Sequence, residues 1–232
     1  MFFGVFLYMV LFIGNLWAPK SLDGEPVSNF GYAIAMNAVL MIAFGIQHSA
    51  MARPRFKRWI TKYIPKSAER STYVMASNVA VILIMVFWQP IGGVIWQADS
   101  ELLKSVIYTF YFLGWVVLFL STCMICHFDL FGLRQVWLHF NGKKYTNYEF
   151  RVPFAYKYVR HPIYVGWLMI VWAAPMMTVA HLIFSLGMTA YILLAVPWEE
   201  NDLIATFGDK YTDYQRQVPM LMPNPLVQKE RV

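Results

Sequence analysis

Arginine, histidine and proline stand together at the start of an apolar stretch, as Arg160-His161-Pro162. Proline suits the first turn of a helix, where its missing N–H costs no hydrogen bond. The N–H groups that follow are unpaired, and a helix start beside an arginine favours a carboxylate or a phosphate. The motif therefore predicts an anion-binding corner. The alternative is a helix cap at a membrane interface, with an arginine that extends toward water.

Two adjacent glutamates, Glu199 and Glu200, follow Pro197 at the end of a later apolar stretch. Carboxylates near a membrane are costly unless they are solvated or paired, so this pair either lies in interfacial water or binds a cation. If the two apolar stretches form a hairpin, their ends meet and the glutamates lie beside Arg160. Such a site has a cationic and an anionic pole, which fits a zwitterionic amino-acid group.

A third polar segment contains Phe128, Asp129, Arg134 and Gln135 among apolar residues. It begins the long connection of residues 127–162, and long connections in compact domains are often functional. The segment predicts part of an acceptor pocket. The alternative is an interfacial turn in which Arg134 pairs with Asp129.

The sequence Cys123-Met-Ile-Cys126-His127 spells the attachment motif of c-type haem. It lies in an apolar run, where free cysteine behaves as a small hydrophobic residue, and at the membrane side opposite to the one where haem is attached. We therefore interpret the cysteines as packing residues and predict no metal site. The histidines that lack a second ligand at metal-like spacing, and that we interpret as structural, are His48, His139 and His181.

The composition indicates that lipid is the solvent of this chain. Of its 232 residues, 59% are hydrophobic and 14% are charged, whereas a typical soluble domain has about 25% charged residues. A bilayer core of about 30 Å needs roughly 20 apolar helical residues. Six spans are predicted, the last two short and paired as a hairpin: residues 2–18, 32–47, 73–88, 106–125, 164–177 and 182–197.

Basic residues predict the orientation, because cytoplasmic loops are enriched in lysine and arginine. Segments 51–70, 127–161 and 199–232 contain 17 of the 19 lysines and arginines, and six spans put all three on one side. We therefore expect both termini on the cytoplasmic side. The net charge of +6 has the same topological origin, so we predict no nucleic-acid partner.

The predicted fold is all-α: one polytopic membrane domain, a bundle of five to six spans with a cytoplasmic C-terminal helical region. Residues 1–126 are predicted as helical scaffold, and residues 127–232 as the part that binds cofactor and acceptor. In the C-terminal region, spacings of four and three predict one helix face with a carboxylate and two phenols. That face consists of Glu200, Ile204, Phe207, Tyr211 and Tyr214, although Gly208 weakens the helix. The sequence predicts no oligomeric state.

The combined motifs of the last third of the chain resemble the isoprenylcysteine carboxyl methyltransferase superfamily of integral-membrane enzymes. The resemblance is carried by Arg160-His161-Pro162-x-Tyr164-x-Gly166, Glu199-Glu200-x-x-Leu203, Phe207-Gly208-x-x-Tyr211-x-x-Tyr214 and Val218-Pro219. The sequence departs from the pattern at Phe154-Ala155-Tyr156, where many members have Gly-Pro-Tyr. This departure is compatible with a smaller acceptor.

A closer resemblance, to the bacterial methanethiol S-methyltransferases, covers nearly the whole length. It is carried by Asn15-Leu16-Trp17-x-Pro19-Lys20, Gln47-His48-Ser49-x-Met51-Ala52-Arg53-Pro54, Glu69-Arg70-Ser71-Thr72-Tyr73 and residues 127–135. This resemblance implies methylation of methanethiol to dimethyl sulfide, with S-adenosyl-L-methionine as the methyl donor. It also implies a bacterial inner membrane, an active site that faces the cytoplasm, and two partners: a small volatile thiol and the lipid bilayer.

For a reaction of this kind we assign roles to particular residues. The cofactor carboxylate is assigned to Arg160 and the helix start at Pro162, and its amino group to Glu199 or Glu200. The other residues predicted to line the cofactor site are Tyr156, His161, Tyr164, Tyr211 and Tyr214. The predicted base for the thiol is His127, oriented by Asp129, with His161 as second choice. The residues predicted to line the acceptor pocket are Phe128, Arg134 and Gln135.

Two other functions stay open at this point. The first is methylation of a larger lipophilic thiol or carboxylate, such as a prenylcysteine. The second is a haem- or quinone-linked membrane protein, which Cys123, Cys126 and His127 suggest. A passive scaffold or a transporter has little support, because the spans lack inverted repeats broken by glycine and proline.

Overall fold

The computed structural model describes residues 2–146 and 149–223 of the chain, and these residues are mostly helical. Ten helices follow one another: α1 Phe2–Ile13, α2 Phe30–Ala52, α3 Pro54–Ile60, α4 Glu69–Phe87, α5 Glu101–Ile125, α6 His127–Leu130, α7 Leu133–Phe140, α8 Pro162–Trp172, α9 Val179–Phe207 and α10 Asp209–Gln217. Two short strands, β1 Val94–Gln97 and β2 Met176–Thr178, pair antiparallel, and 3₁₀ turns occupy Lys66–Ala68 and Phe154–Lys157.

Four helices are long and apolar enough to cross a membrane, namely α2, α4, α5 and α9. The predicted helical bundle with apolar spans is thus confirmed, and the chain is an integral membrane protein. The predicted first and fifth spans are shorter than expected, because α1 has 12 residues and α8 has 11. At about 1.5 Å per residue such helices cover roughly 17 Å, about half of the bilayer core. The sixth span, expected to be short, is instead the longest helix at 29 residues.

The basic segments meet at one end of the bundle, which we call the basic end. Arg53, after α2, forms an ion pair of 2.9 Å with Asp202 of α9. Arg70, in the first turn of α4, donates from Nε to the carbonyl oxygen of Leu130 at 2.7 Å. The three described basic segments therefore share one face, as the charge distribution predicts.

The opposite end, which we call the hairpin end, is closed by β1, β2 and a buried hydrogen bond between His181 and Asp23. Thr178 caps α9, and both its hydroxyl and the ring of His181 donate to the carboxylate of Asp23, at 2.6 and 2.8 Å. His181 also lies 3.1 Å from the carbonyl oxygen of Val171. His181, which the sequence analysis interprets as structural, is buried in the first turn of α9, where it anchors the segment around Asp23.

The extensive packing of α5 against α8 depends on two glycines that face each other. A Cβ atom at Gly166 would lie 2.8 Å from the carbonyl oxygen of Gly114 and 2.8 Å from the backbone nitrogen of Leu118. The helices can approach this closely only because neither glycine has a side chain. This contact fixes the position of α8, whose first residue follows Arg160-His161.

We predict that Gly166→Ala lowers the free energy of unfolding by about 1–3 kcal/mol, the usual cost of overpacking a tight contact. Chemical denaturation in detergent micelles measures this change. The matched control is Gly4→Ala, because a Cβ atom at Gly4 would have no neighbour within 4 Å. Equal stability of the two variants would contradict the proposed importance of the glycine contact.

Candidate functional site

The Arg160-His161-Pro162 corner is held by backbone hydrogen bonds to the C-terminal segment. The backbone N–H groups of Arg160 and His161 donate to the carbonyl oxygens of Pro219 and Met220, at 2.9 and 3.1 Å. Pro162 occupies the first turn of α8, as its missing N–H group predicts. The chain that follows α10 therefore returns to the start of α8.

The hairpin of α8 and α9 brings the arginine and glutamate motifs together, and Glu200 is the centre of the contact. Its carboxylate accepts from Arg160 Nε at 2.6 Å and Nη2 at 3.3 Å, and from His161 Nε2 at 3.0 Å. Tyr211 donates to it at 3.3 Å and Gln215 at 2.8 Å. A carboxylate has about four lone-pair sites, so these five hydrogen bonds saturate Glu200.

The guanidinium of Arg160 is also nearly saturated. Besides its two hydrogen bonds to Glu200, it donates from Nη1 to the carbonyl oxygens of Gln215 and Val218. Four of the five N–H groups of an arginine are thus engaged. The two poles predicted for a zwitterionic ligand lie side by side as expected, but in this structure they pair with each other.

Glu199 differs from its neighbour, because its side chain is 43% exposed, compared with 11% for Glu200. Its one hydrogen bond among the described residues comes from the Tyr164 hydroxyl at 2.7 Å. His161 Nδ1 lies 4.0 Å away, and the His161 ring stacks on Tyr164 with centroids 5.5 Å apart. Glu199 thus presents an accessible carboxylate beside two aromatic faces.

Two further tyrosines close the site from the C-terminal side. The Tyr214 hydroxyl donates to the carbonyl oxygen of Tyr156 at 2.6 Å. The Tyr156 hydroxyl donates to the carbonyl oxygen of Ser121 at 3.4 Å. Burial raises the pKa of Tyr156 and of Tyr211, so both phenols are neutral hydrogen-bond donors near pH 7.

The prediction of a single C-terminal helix that continues across Gly208 is wrong. Gly208, at φ +60°, separates α9 from α10, and a residue with a side chain rarely adopts such a φ value. Tyr211 and Tyr214 reach the site because α10 folds back onto α9.

The predicted acceptor segment forms its own polar cluster. Asp129 accepts from Arg134 at 3.1 Å and from the Tyr145 hydroxyl at 3.0 Å, while its carbonyl oxygen accepts from Gln135 Nε2 at 3.0 Å. Phe128 is 64% exposed. The Asp129–Arg134 pair anticipated for an interfacial turn is therefore present.

His127 is oriented by Thr122, and the hydrogen bonds of Asp129 go elsewhere. The Thr122 hydroxyl donates to the carbonyl oxygen of Phe119 at 2.7 Å, so it accepts from His127 Nδ1 at 2.9 Å. This arrangement leaves Nε2 as the proton-accepting nitrogen in the neutral ring. Burial lowers the pKa of His127, which favours that neutral form.

The cysteines and possible metal ligands can be located among the described residues. Cys123 and Cys126 form no disulfide bond among the described residues, and Cys123 is exposed. In the part of the chain that the structure describes, no three His, Cys, Asp or Glu side chains are grouped as metal ligands.

The sequence interpretation missed a polar cluster between α2, α4 and α9 at the basic end. Hydrogen bonds join His48 to Tyr73 and Ser77, and Ser49 to Tyr191. The two sets meet where the rings of His48 and Tyr191 pack edge to face, with centroids 6.3 Å apart. The run Gln47-His48-Ser49 inside an apolar span was the available signal, because polar residues in a membrane are costly and are commonly functional.

Comparison with known proteins identifies close relatives. The chain is 50% identical over 217 residues, covering 94% of this chain and 85% of the relative, to the methanethiol S-methyltransferase of Crocosphaera subtropica. It is 49% identical over 218 residues (94% and 84%) to methanethiol S-methyltransferase 2 of Bradyrhizobium diazoefficiens. It is 44% identical over 224 residues (97% and 92%) to the methanethiol S-methyltransferase of Mycobacterium tuberculosis.

A more distant match is Nurim of Sus scrofa, 28% identical over 178 residues that cover 73% of this chain and 68% of Nurim. No protein-family model matches the chain, and no solved structure matches it. Identities of 44–50% over nearly the whole of this chain and most of each relative show that these proteins are homologous. The chain belongs to the methanethiol S-methyltransferase family.

Proposed function

We propose that this protein transfers the methyl group of S-adenosyl-L-methionine to methanethiol and produces dimethyl sulfide. The observation that carries the proposal is the 50% identity, over 94% of the chain, to a relative named for this activity. The site geometry adds support, because an accessible carboxylate at Glu199 lies beside the aromatic rings of His161 and Tyr164. A carboxylate together with aromatic rings suits the binding of a cationic ammonium or sulfonium group.

Glu199 is the better of the two glutamates for the amino group of the methyl donor. Glu200 already accepts five hydrogen bonds, whereas Glu199 accepts one. The role of Glu200 is then to hold Arg160, Tyr211 and Gln215 in place. Among the described residues four of the five N–H groups of Arg160 are engaged. The fifth lies beside the positive dipole end of α8, which favours the carboxylate of the same ligand.

The methyl donor supplies a methyl carbon attached to a positively charged sulfur. The thiol sulfur forms a new bond to this carbon as the old carbon–sulfur bond breaks, and the thiol proton leaves to a base. His127 is our candidate base, with its Nε2 left available by the Thr122 hydrogen bond. His161, the second choice, is less suited because its Nε2 donates to Glu200. The protein contributes alignment and exclusion of water.

We further propose that the basic end faces the cytoplasm of a bacterial cell. The excess of lysine and arginine at this end agrees with the positive-inside rule, and the methyl donor is made in the cytoplasm. Both termini would lie on this side. Methanethiol is small and apolar, so it can reach the site through the bilayer.

A headspace assay tests the proposed function. The purified protein in lipid vesicles, supplied with S-adenosyl-L-methionine and methanethiol, should release dimethyl sulfide that gas chromatography detects. Vesicles without protein are the control. Release no greater than in this control would contradict the proposal, and methylation of a prenylcysteine analogue instead would favour the larger acceptor.

The two glutamates should differ in what their loss affects. Glu199→Gln should weaken binding of the methyl donor about 10- to 100-fold, because a hydrogen bond to a charged group contributes roughly 1.5–3 kcal/mol. Its thermal stability should be unchanged. Glu200→Gln should lower the free energy of unfolding by about 3–5 kcal/mol, since Arg160 then loses its buried partner.

Calorimetric titration with the methyl donor and thermal unfolding in detergent measure the two effects. The assignment is wrong if Glu199→Gln binds the donor as tightly as the wild type.

His127 should set the pH dependence of the reaction. Its pKa is lowered from an ordinary value of about 6.5, so the ring accepts protons at pH 7 and loses this capacity only as the pH falls further. The wild-type kcat/KM for methanethiol should therefore be nearly flat from about pH 6.5 to 8. In His127→Gln it should be about 100-fold or more lower, the usual contribution of a general base.

The variant's rate should also rise with pH, because the thiol must then ionise unaided. The matched control is His139→Gln, at an exposed histidine of α7. A pH profile of His127→Gln that is parallel to the wild type would remove His127 from the mechanism.

A further inference from the structure

The polar cluster at the basic end places ionisable side chains inside apolar spans. His48 lies in α2, Tyr73 and Ser77 lie in α4, and Tyr191 lies in α9. Tyr73 is only 7% exposed. Ionisable groups within a membrane are costly, and a position inside the helix bundle commonly indicates a substrate path. The mechanism above makes no use of these residues.

The hydrogen bonds of the cluster indicate which groups donate and which accept. The side-chain nitrogen of Gln47 can only donate, and it lies 3.4 Å from the Ser77 oxygen. The Ser77 hydroxyl can therefore donate to His48 Nδ1, 3.1 Å away. A neutral ring then carries its hydrogen on Nε2, which donates to the Tyr73 oxygen at 2.7 Å. In this tautomer the Tyr73 oxygen accepts from His48, and the Tyr73 hydroxyl hydrogen can be donated to a ligand.

A positive charge lies directly beside this phenol. The guanidinium carbon of Arg70 is 4.8 Å from the centroid of the Tyr73 ring. None of the salt bridges among the described residues includes Arg70. Its Nε donates to the carbonyl oxygen of Leu130, which ties it to the segment containing His127. An anion near the Tyr73 hydroxyl would therefore feel an uncompensated cation.

The cluster also adjoins the proposed donor site. Arg53 donates to the carbonyl oxygen of Ser49 at 3.2 Å and pairs at 2.9 Å with Asp202, which lies about one turn beyond Glu199 in α9. Tyr191 is held by a contact of 3.1 Å with the Ser49 hydroxyl, and it packs on Gly45, where a Cβ atom would lie 3.2 Å from its ring. Helix α9 thus carries both a residue of the cluster and the carboxylate of the proposed donor site.

We propose that the Tyr73 hydroxyl, oriented by His48, donates a hydrogen bond to the sulfur of the acceptor thiol and, together with Arg70, stabilises its thiolate form. This inference rests on the proposed function. The S–H proton passes to the base, and the Tyr73 hydrogen bond and the Arg70 charge lower the free energy of the thiolate that remains. The sulfur lone pair then forms the bond to the methyl carbon, and the former sulfonium leaves as a neutral thioether.

Tyr73 would thereby be a catalytic residue and His48 a positioning residue, in place of the structural role predicted for His48. A small alkyl thiol has few polar groups besides its sulfur through which a protein can hold it. One hydrogen bond at its sulfur is therefore the means by which the site can align it.

The test compares Tyr73→Phe with Tyr108→Phe, a matched control that removes a phenol hydrogen bond of 3.3 Å to the carbonyl oxygen of Gly14 at the hairpin end. Tyr73→Phe should lower kcat/KM for methanethiol about 10- to 100-fold, the effect of a hydrogen bond to a charged group. Its binding of S-adenosyl-L-methionine should match the wild type. Tyr108→Phe should retain wild-type kcat/KM.

His48 provides a second, independent variant pair. The amide nitrogen of glutamine can occupy the position of His48 Nε2 and donate to Tyr73, whereas leucine cannot. His48→Gln should therefore retain most of the methanethiol kcat/KM, and His48→Leu should lose about as much as Tyr73→Phe.

A value of kcat/KM for Tyr73→Phe within twofold of the wild type overturns the inference. Equal losses in His48→Gln and His48→Leu overturn the positioning role of His48. A wild-type protein that releases no dimethyl sulfide contradicts the proposed function itself, which distinguishes the two failures.

Discussion

The buried ion pair between Arg160 and Glu200 is the interaction on which the site depends. A charge removed from water is stable only when it is paired and hydrogen-bonded. Here the Glu200 carboxylate receives donors from the start of α8 and from α10, and the Arg160 guanidinium donates to the chain after α10. One carboxylate thus joins the hairpin of α8 and α9 to the C-terminal segment.

This pairing gives the two adjacent glutamates different functions. Consecutive residues of a helix point about 100° apart, so Glu200 faces the packed interior while Glu199 faces the accessible side. A carboxylate that is fully used in holding the fold is not available for a ligand, whereas its exposed neighbour is. The doubled glutamate therefore combines a structural anchor and a candidate binding group within one turn of α9.

The contacts that close the bundle and the groups proposed for chemistry lie at opposite ends of it. At the hairpin end, the Asp23–His181 pair and the strand pair β1–β2 close the structure. The groups to which we assign chemistry, namely Glu199, His127 and the Tyr73–His48 pair, lie at the basic end. The close contact between Gly114 and Gly166 couples the two ends, because it sets how α8 lies against α5.

The sequence alone determined the properties that depend on composition and local geometry. The scarcity of charge required lipid-facing helices, the placement of lysine and arginine put three segments on one face, and Pro162 marked the start of α8. The predicted hairpin was sufficient to bring Arg160 and Glu200 together.

Only the tertiary structure decided which groups remain available for a ligand. Whether Glu199 or Glu200 is free depends on the rotation of α9 against α8, which no local pattern specifies. Thr122 rather than Asp129 orients His127, because the end of α5 turns the ring back onto its own helix. The His48–Tyr73 cluster requires α2, α4 and α9 to pack together, and contacts between helices far apart in sequence leave no periodic signal in any one of them.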